Sequence, residues 1–209
     1  MSGWNEVIHA TNAGGFWATE TVEWNGSGPA GIAVAADGTV HIVYRNPYEN
    51  DLVHAWWDGF GWLTEPVDGF DTDTGYDPSV AIDGADALHV SYWEPNEGRR
   101  YANNTGGFWV TETFDDYPWS GWSDTAVDGS GGVHTTYWTD FPRYAMRDAA
   151  GDWTVRTVIG GVGVTGMSVA VEADDDVHFT FGLDDPPVLT HGTLVAGDGV
   201  DQNCDGVAE

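Results

Sequence analysis

The sequence predicts an all-β fold, a β-propeller of about four four-stranded antiparallel blades. Two interleaved repeats carry that prediction. The first reads Ala36-Asp37-Gly38-Thr39-Val40-His41-Ile42-Val43-Tyr44 and returns at residues 83–92, 128–137 and 173–181; its histidines His41, His89, His134 and His178 stand 48, 45 and 44 residues apart. The second reads Phe16-Trp17-Ala18-Thr19-Glu20-Thr21 and returns around Trp62, Trp109 and Trp153, at steps of 45, 47 and 44. A period in this range, built from short β runs, marks one blade per repeat.

The first full unit shows why each strand forms. Residues 32–35, Ile-Ala-Val-Ala, are short and small-sided, as an innermost strand must be where blades converge. Residues 40–45 are apolar on both sides, which suits a strand sandwiched between neighbouring blades. Residues 51–57 form the third strand, and residues 62–67 alternate like a half-exposed outer strand. Asp37-Gly38 and Asp58-Gly59 are turn dipeptides, with glycine supplying positive φ. Pro66 falls on the outer strand, where a missing donor is tolerated at an edge.

The rest of the chain follows the same count. Residues 7–11 and 17–24 copy a third and a fourth strand, full units span 31–68, 78–115 and 124–159, and the last unit supplies strands at 168–172, 177–181 and 188–194. That is seventeen strands where four blades need sixteen. The simplest ring has four blades, its last completed by the N-terminal strands, with one strand copy left over. An open arc, or a ring closed by another chain, is the alternative. The propeller occupies residues 1–195 and an acidic tail residues 196–209.

Composition excludes some partners. Six Lys+Arg, all arginine, face 34 Asp+Glu, for a formal charge of −28. Such a surface repels nucleic acid and anionic membranes and attracts divalent cations. No run reaches transmembrane length, so membrane insertion is not expected. Met1-Ser2-Gly3-Trp4 has neither the charged nor the apolar region of a signal peptide. One cysteine, Cys204, allows no disulfide within the chain.

Residues kept in the repeat are read as structural. The four histidines are each expected to pair with backbone in their own blade; a shared metal would need ligands converging on one point. Trp17, Trp62, Trp109 and Trp153 are expected between blades, and Glu20, Glu65 and Glu112 on a solvated outer face. Aromatics outside the repeat are the candidate ligand-binding residues: Trp56, Trp57, Tyr76, Trp93, Tyr117, Trp119, Trp122 and Trp138. Indoles beside Asp and Asn on loops of a rigid scaffold suit sugars: a flat apolar face for the ring and carboxylates for its hydroxyls. Plugging gaps between blades is the alternative role for them.

The tail has no strand pattern. Asp201-x-Asn203-x-Asp205-Gly206 presents oxygens at alternate positions and then a turn glycine, the first half of an EF-hand-type loop whose closing glutamate would fall beyond Glu209. The segment resembles the metal-binding DG-x-D-x-x-CDG motif of secreted myxobacterial proteins and is similar to thrombospondin type 3 calcium repeats. The resemblance implies export and weak calcium binding by Asp201, Asn203 and Asp205. The blades resemble the Trp- and Asp-rich propeller repeats of secreted bacterial proteins, with distant similarity to the Asp-box repeats of sialidase-like proteins. Asp37-Gly38-Thr39 lacks the spacing and the tryptophan of an Asp-box, and Arg99, Arg100, Arg143 and Arg147 sit at repeat-type positions, so no sialidase arginine triad is assigned.

These readings favour a secreted or cell-surface, non-catalytic binding module, lectin-like, for glycans or extracellular protein surfaces. Two alternatives stay open. One is an assembly propeller that oligomerises, with copies of itself among others, through unpaired blade strands. The other is a small polysaccharide-degrading enzyme, for which no blade carries a catalytic group that the others lack.

Overall fold

The computed structural model describes residues 6–24, 26–69, 72–159, 164–172, 175–183 and 189–194. The tail, with Asp201, Asn203 and Asp205, lies outside the described residues, and so does the boundary near residue 195. Every regular element among the described residues is a strand. β1 (Val7–Thr11) and β2 (Ala18–Glu23) form a two-stranded sheet. Blade 1 is β3 (Ser27–Val34), β4 (Val40–Asn46), β5 (Asp51–Trp57) and β6 (Trp62–Asp68). Blade 2 is β7 (Tyr76–Ile82), β8 (Leu88–Glu94), β9 (Gly98–Asn103) and β10 (Val110–Asp115). Blade 3 is β11 (Gly121–Val127), β12 (Val133–Trp138), β13 (Pro142–Arg147) and β14 (Trp153–Thr157). The last sheet has three strands, β15 (Val164–Val171), β16 (Val177–Leu183) and β17 (Leu189–Leu194).

All pairings join sequence neighbours in antiparallel fashion, as hairpins with tight turns require. Asp37 and Asp58 close their turns by accepting the N–H groups of Thr39 and Phe60 at 2.8 Å each, beside Gly38 and Gly59 at φ 91° and 95°. The first strands β3, β7, β11 and β15 pack side by side around the axis. Each begins earlier than its small-residue run and slips register once near its start, at 27–30, 76–79, 121–123 and 165–167.

The N-terminal strands do not complete the last blade. β1 and β2 pair with each other and pack on blade 1, through Val7 and Val22 against Ile42, Tyr44 and Val53. The edge of β16 that β1 would take is occupied by β17, with Thr180 opposite His191, just as Val43 stands opposite His54 in blade 1. β1 and β17 are copies of one strand position, and β16 has one edge for it.

The core lies in the seams between blades. Val43, Leu52 and Val67 of blade 1 meet Val80, Leu88, Val90 and Tyr92 of blade 2. Tyr144 of blade 3 meets Val164, Val169, Phe179 and Phe181. The seam between blades 2 and 3 is instead hydroxylic. Ser91 bonds Ser123 (3.1 Å) and Thr125 (2.8 Å), and receives the Thr135 hydroxyl at 3.2 Å. Asp124 ties three blades at the axis, accepting from Ser79 of blade 2 (3.3 Å) and from Ser168 and Val169 N–H of the last sheet (2.7 and 2.9 Å).

The repeated tryptophans act as cross-blade latches. Trp109 Nε1 donates to Glu65 of the preceding blade at 2.8 Å, and Trp153 Nε1 to Glu112 at 3.0 Å. Glu65 and Glu112 are therefore hydrogen-bond acceptors in the seams, half-exposed, and not a purely solvated face. Trp62 packs edge-on against His9 of the two-stranded sheet, with ring centroids 5.3 Å apart. Trp17 departs from the expectation of a seam position: it is 72 % exposed, because no described sheet stands before β1–β2 to receive it.

Candidate functional site

The histidines are held within their blades, by side chains. His89 takes the Tyr101 hydroxyl on Nδ1 (2.5 Å) and gives Nε2–H to Asp83 (3.2 Å); His134 does the same with Tyr144 and Asp128 (2.7 and 2.9 Å). His178 pairs with Glu172 at 2.9 Å. Blade 1 has Ala35 where the acid stands and His54 where the tyrosine stands. There Glu65 accepts from His54 Nδ1 (3.0 Å), and His54 Nε2 bonds His41 Nδ1 (2.9 Å). Burial lowers the pKa of His41, His54 and His89. Among the described residues no group of three or more His, Cys, Asp and Glu is placed to hold a metal ion.

The eight candidate aromatics separate into distinct settings. Trp56 stacks on His54, with centroids 5.1 Å apart, and Trp57 meets Trp62 edge-on at 5.6 Å. Both are half-buried and pack on rings of blade 1. Tyr76 and Trp93 are brought together: they face each other across β7 and β8, with rings 5.4 Å apart. Trp122 and Trp138 adjoin at 6.4 Å at the start of blade 3. Tyr117 and Trp119 share the loop between β10 and β11, where Trp119 is 69 % exposed. The indole N–H groups of Trp93 and Trp138 are buried and have no partner among the described residues.

Two of these aromatics sit in a common arrangement that the sequence reading missed. Between blades 1 and 2 the Arg45 guanidinium lies over the Tyr76 ring at 4.3 Å. Arg45 donates to Asp73 (2.5 Å) and Asn50 (3.0 Å), and the Tyr76 hydroxyl donates to Asp73 at 2.9 Å. Between blades 2 and 3 the Arg143 guanidinium lies over Tyr117 at 4.7 Å. Arg143 donates to Asp115 at 2.6 Å, and the Tyr117 hydroxyl donates to Asp140. Each cluster is one cation stacked on one tyrosine and tied to carboxylates, Asp73 and Asp140 on loops and Asp115 at the end of β10. Arg45 comes from the end of a second strand and Arg143 from the start of a third; the contacts of Arg143 with Asp115 and Tyr137 repeat those of Arg100 with Asp68 and Tyr92 one blade earlier, while the stacking on Tyr117 is added to them.

The second cluster is the more open. Arg143 and Asp115 line a cleft of about 420 Å³ with Thr113, Asp116, Arg156 and Thr157, between the outer strands of blades 2 and 3. The buried Tyr137 hydroxyl donates to the same Asp115 oxygen as Arg143, at 2.5 Å. Burial opposes the Arg143 charge, but Asp115 outweighs it and raises the guanidinium pKa. The bond to Asp140 raises the Tyr117 phenol. Arg143 Nε has no partner among the described residues. The cleft thus offers two guanidiniums and two carboxylates at fixed spacing, with no nucleophile–base pair among them. Scarcity was the unused signal for the arginines: there are six cations in the chain.

No family model matches the chain, and no curated protein matches it. Several solved structures are similar in fold. AofleA from Arthrobotrys oligospora superposes with TM-score 0.65 at 12 % identity, over 92 % of this chain and 58 % of that one. The Aleuria aurantia lectin, a fungal six-bladed β-propeller described with a novel fucose recognition mode, gives 0.62 at 15 % identity, over 87 % and 64 %. The leech intramolecular trans-sialidase gives 0.59 at 10 % identity, over 86 % and 34 %. The chain spans less than two thirds of each of these chains. At such identities the likeness shows the fold: this chain is built as part or all of a β-propeller, similar to those of lectins and sialidases.

Proposed function

We propose that the chain is a lectin-like, non-catalytic module that binds neutral glycans at its blade seams, outside the cell. The observation that carries this is the Arg–Tyr–carboxylate cluster present at two successive seams, one of them beside an open cleft. A guanidinium and a carboxylate side by side recognise neighbouring hydroxyls, donating to one and accepting from the next. A tyrosine or an exposed indole such as Trp119 offers an apolar face to the ring. The net charge of −28 disfavours anionic sugars. The propeller lectins of similar fold lend support, since one is described with fucose recognition and another, SapL1, with α-methyl fucoside.

Methyl α-fucoside and a neutral glycan array are therefore the first probes. Arg143→Ala and Tyr117→Phe should each weaken a hit by about tenfold or more, the cost of about 1.4 kcal/mol, without loss of the β spectrum. Unchanged affinity in both would sink the reading. A tail loop built on Asp201, Asn203 and Asp205 remains part of the proposal, binding calcium near the millimolar end of the range. Removal of residues 198–209 should abolish the calcium-specific rise in melting temperature over magnesium at equal ionic strength. A full calcium effect in the shortened chain would remove the tail site.

One observation favours a second reading, assembly. Trp17 is exposed where its three repeat copies are latched or packed in seams. A native mass measurement showing monomer at micromolar concentration would remove it.

A further inference from the structure

The mouth of the central axis carries a charged group that the seam clusters do not use. The register slips of the four first strands bring Pro29, Asp77, Trp122 and Gly166 to one repeat position around the axis. With Pro78, Ser123 and Met167 they line a cavity of about 180 Å³. The four positions are chemically unlike: two are small or cyclic, one is an indole 47 % exposed, and one is a carboxylate. A ring of equivalent backbone sites filled so unevenly is not explained by blade packing, which would repeat.

Asp77 is held there against local preference. Its φ is 46°, in the left-handed region, where its counterpart in the last blade is Gly166 at 67°. Strain of this kind in a non-glycine residue persists where the surroundings over-determine it, and it gathers at ligand sites. The Asp77 side chain is half-buried, yet among the described residues its carboxylate accepts no hydrogen bond and joins no ion pair. Burial raises its pKa and the nearby Arg99 charge opposes that rise. Arg99 itself is fully buried; its Nη2–H donates to the Gly121 carbonyl at 2.9 Å, while Nε and Nη1 have no partner among the described residues. The Asp77 carboxylate keeps its oxygens accessible, and the cavity beside it is where a cationic donor would sit.

We propose that this axial mouth binds a small organic ammonium group, with Asp77 as counter-charge and the Trp122 indole as its aromatic face. Cations bind over indole faces more strongly than over other rings. The proline and methionine walls suit methyl or methylene substituents, and beside Asp77 the lining adds one side-chain oxygen, the Ser123 hydroxyl. A calcium or magnesium ion, which needs six or more oxygens, is poorly served by one carboxylate. A sugar needs several convergent polar partners to fix its hydroxyls, and the mouth supplies Asp77 and a Ser123 hydroxyl already donated to the Asp77 carbonyl. The acidic surface raises the local concentration of any cation, whatever its kind, so selectivity has to come from the cavity.

Choline and its uncharged carbon analogue, 3,3-dimethylbutanol, are a matched pair of probes. Each is titrated into the whole chain at ionic strength held constant with sodium chloride, with calorimetry and the indole signals in NMR as readouts. Choline should saturate and the analogue should not. Asp77→Asn keeps the shape and tolerates positive φ, and it should weaken choline by about tenfold, or about 1.4 kcal/mol; Trp122→Leu should weaken it as well. Arg143→Ala, which disables the proposed glycan cluster, should leave choline binding unchanged, so the two sites fail separately. Equal binding of the neutral analogue, unaltered affinity in Asp77→Asn, or a choline response without saturation would each overturn the assignment.

Discussion

The seam between blades 1 and 2 and the seam between blades 2 and 3 share one backbone plan and differ in chemistry. Ile32, Ile42 and Val43 in blade 1 correspond to Val80, Val90 and Ser91 in blade 2, and to Thr125, Thr135 and Thr136 in blade 3. The first seam is closed by branched apolar side chains, the second by a chain of hydroxyls, and both exclude water: Val43, Val90 and Thr135 are all fully buried. The propeller repeat therefore specifies spacing and direction of side chains. It does not specify that the filling be apolar, provided each buried hydroxyl finds a partner. The apolar seam tolerates loose geometry because dispersion and burial are non-directional. The hydroxyl seam demands angles, and it meets them with the mutually bonded hydroxyls of Ser91, Thr125 and Thr135.

The contrast can be broken at several points. The largest effect is expected at Leu52, which is wholly buried in the apolar seam: Leu52→Ala should cost about 2–5 kcal/mol in urea unfolding. In the hydroxyl seam, Thr135→Val removes a donor to Ser91 and should cost about 1–3 kcal/mol. Replacing Ser91, Thr125 and Thr135 together by Ala, Val and Val should recover most of that loss, because no partner is then stranded. If the triple variant is as unstable as the sum of its single changes, the seam is not acting as a network. Trp109→Phe should cost about 1 kcal/mol through the lost bond to Glu65. Trp17→Phe should stay within about 0.5 kcal/mol of the parent, as an exposed site does; equal costs at the two tryptophans would show that Trp17 is covered in solution.

Acidification sharpens the same contrast. Burial holds the pKa of His54 and His89 below the ordinary value, so the unfolded chain takes up protons first. Stability is then full above the unfolded histidine pKa of about 6.5 and falls as the pH drops below it. His54 belongs to the apolar seam, packed edge-on against Trp109. The equivalent place in the hydroxyl seam is Tyr101, which stays neutral and packs on Trp153. His54→Tyr should accordingly flatten the loss of the urea midpoint between roughly pH 7 and pH 5. An unchanged slope would assign the acid sensitivity to His89 and the other histidines.

The blades were legible because their evidence is local. Asp-Gly turns, the small innermost run at 32–35 and the stepped histidines each report on one strand or hairpin. Ring closure was not legible, since residues 7–11 and 189–194 carry the same third-strand pattern and sequence alone does not say which copy pairs with β16. The seam clusters were half legible. Tyr76 and Tyr117 stood out as aromatics beyond the repeat, but Arg45 and Arg143 did not, because each holds an ordinary strand position and meets its tyrosine through a loop from a different blade. Trp56 and Trp57 also stood out, and each packs on a ring of its own blade; an aromatic outside the repeat can fill a local gap as readily as line a site.

Five of the six arginines are tied into the fabric of the protein: Arg45, Arg100, Arg143 and Arg147 to carboxylates, and Arg99 to a backbone carbonyl. Arg156 is the one left exposed on a strand face. The outer skin is consequently close to a pure polyanion, without the mixed-sign mosaic of most soluble proteins. Such a particle travels inside a dense atmosphere of small counter-ions, and two copies approaching each other must first compress those atmospheres. In dilute buffer that osmotic pressure keeps copies apart; in seawater-like salt, where the screening length shrinks to several ångströms, they can touch. Locking the cations inside therefore makes the medium, as much as the chain, decide how closely these propellers crowd.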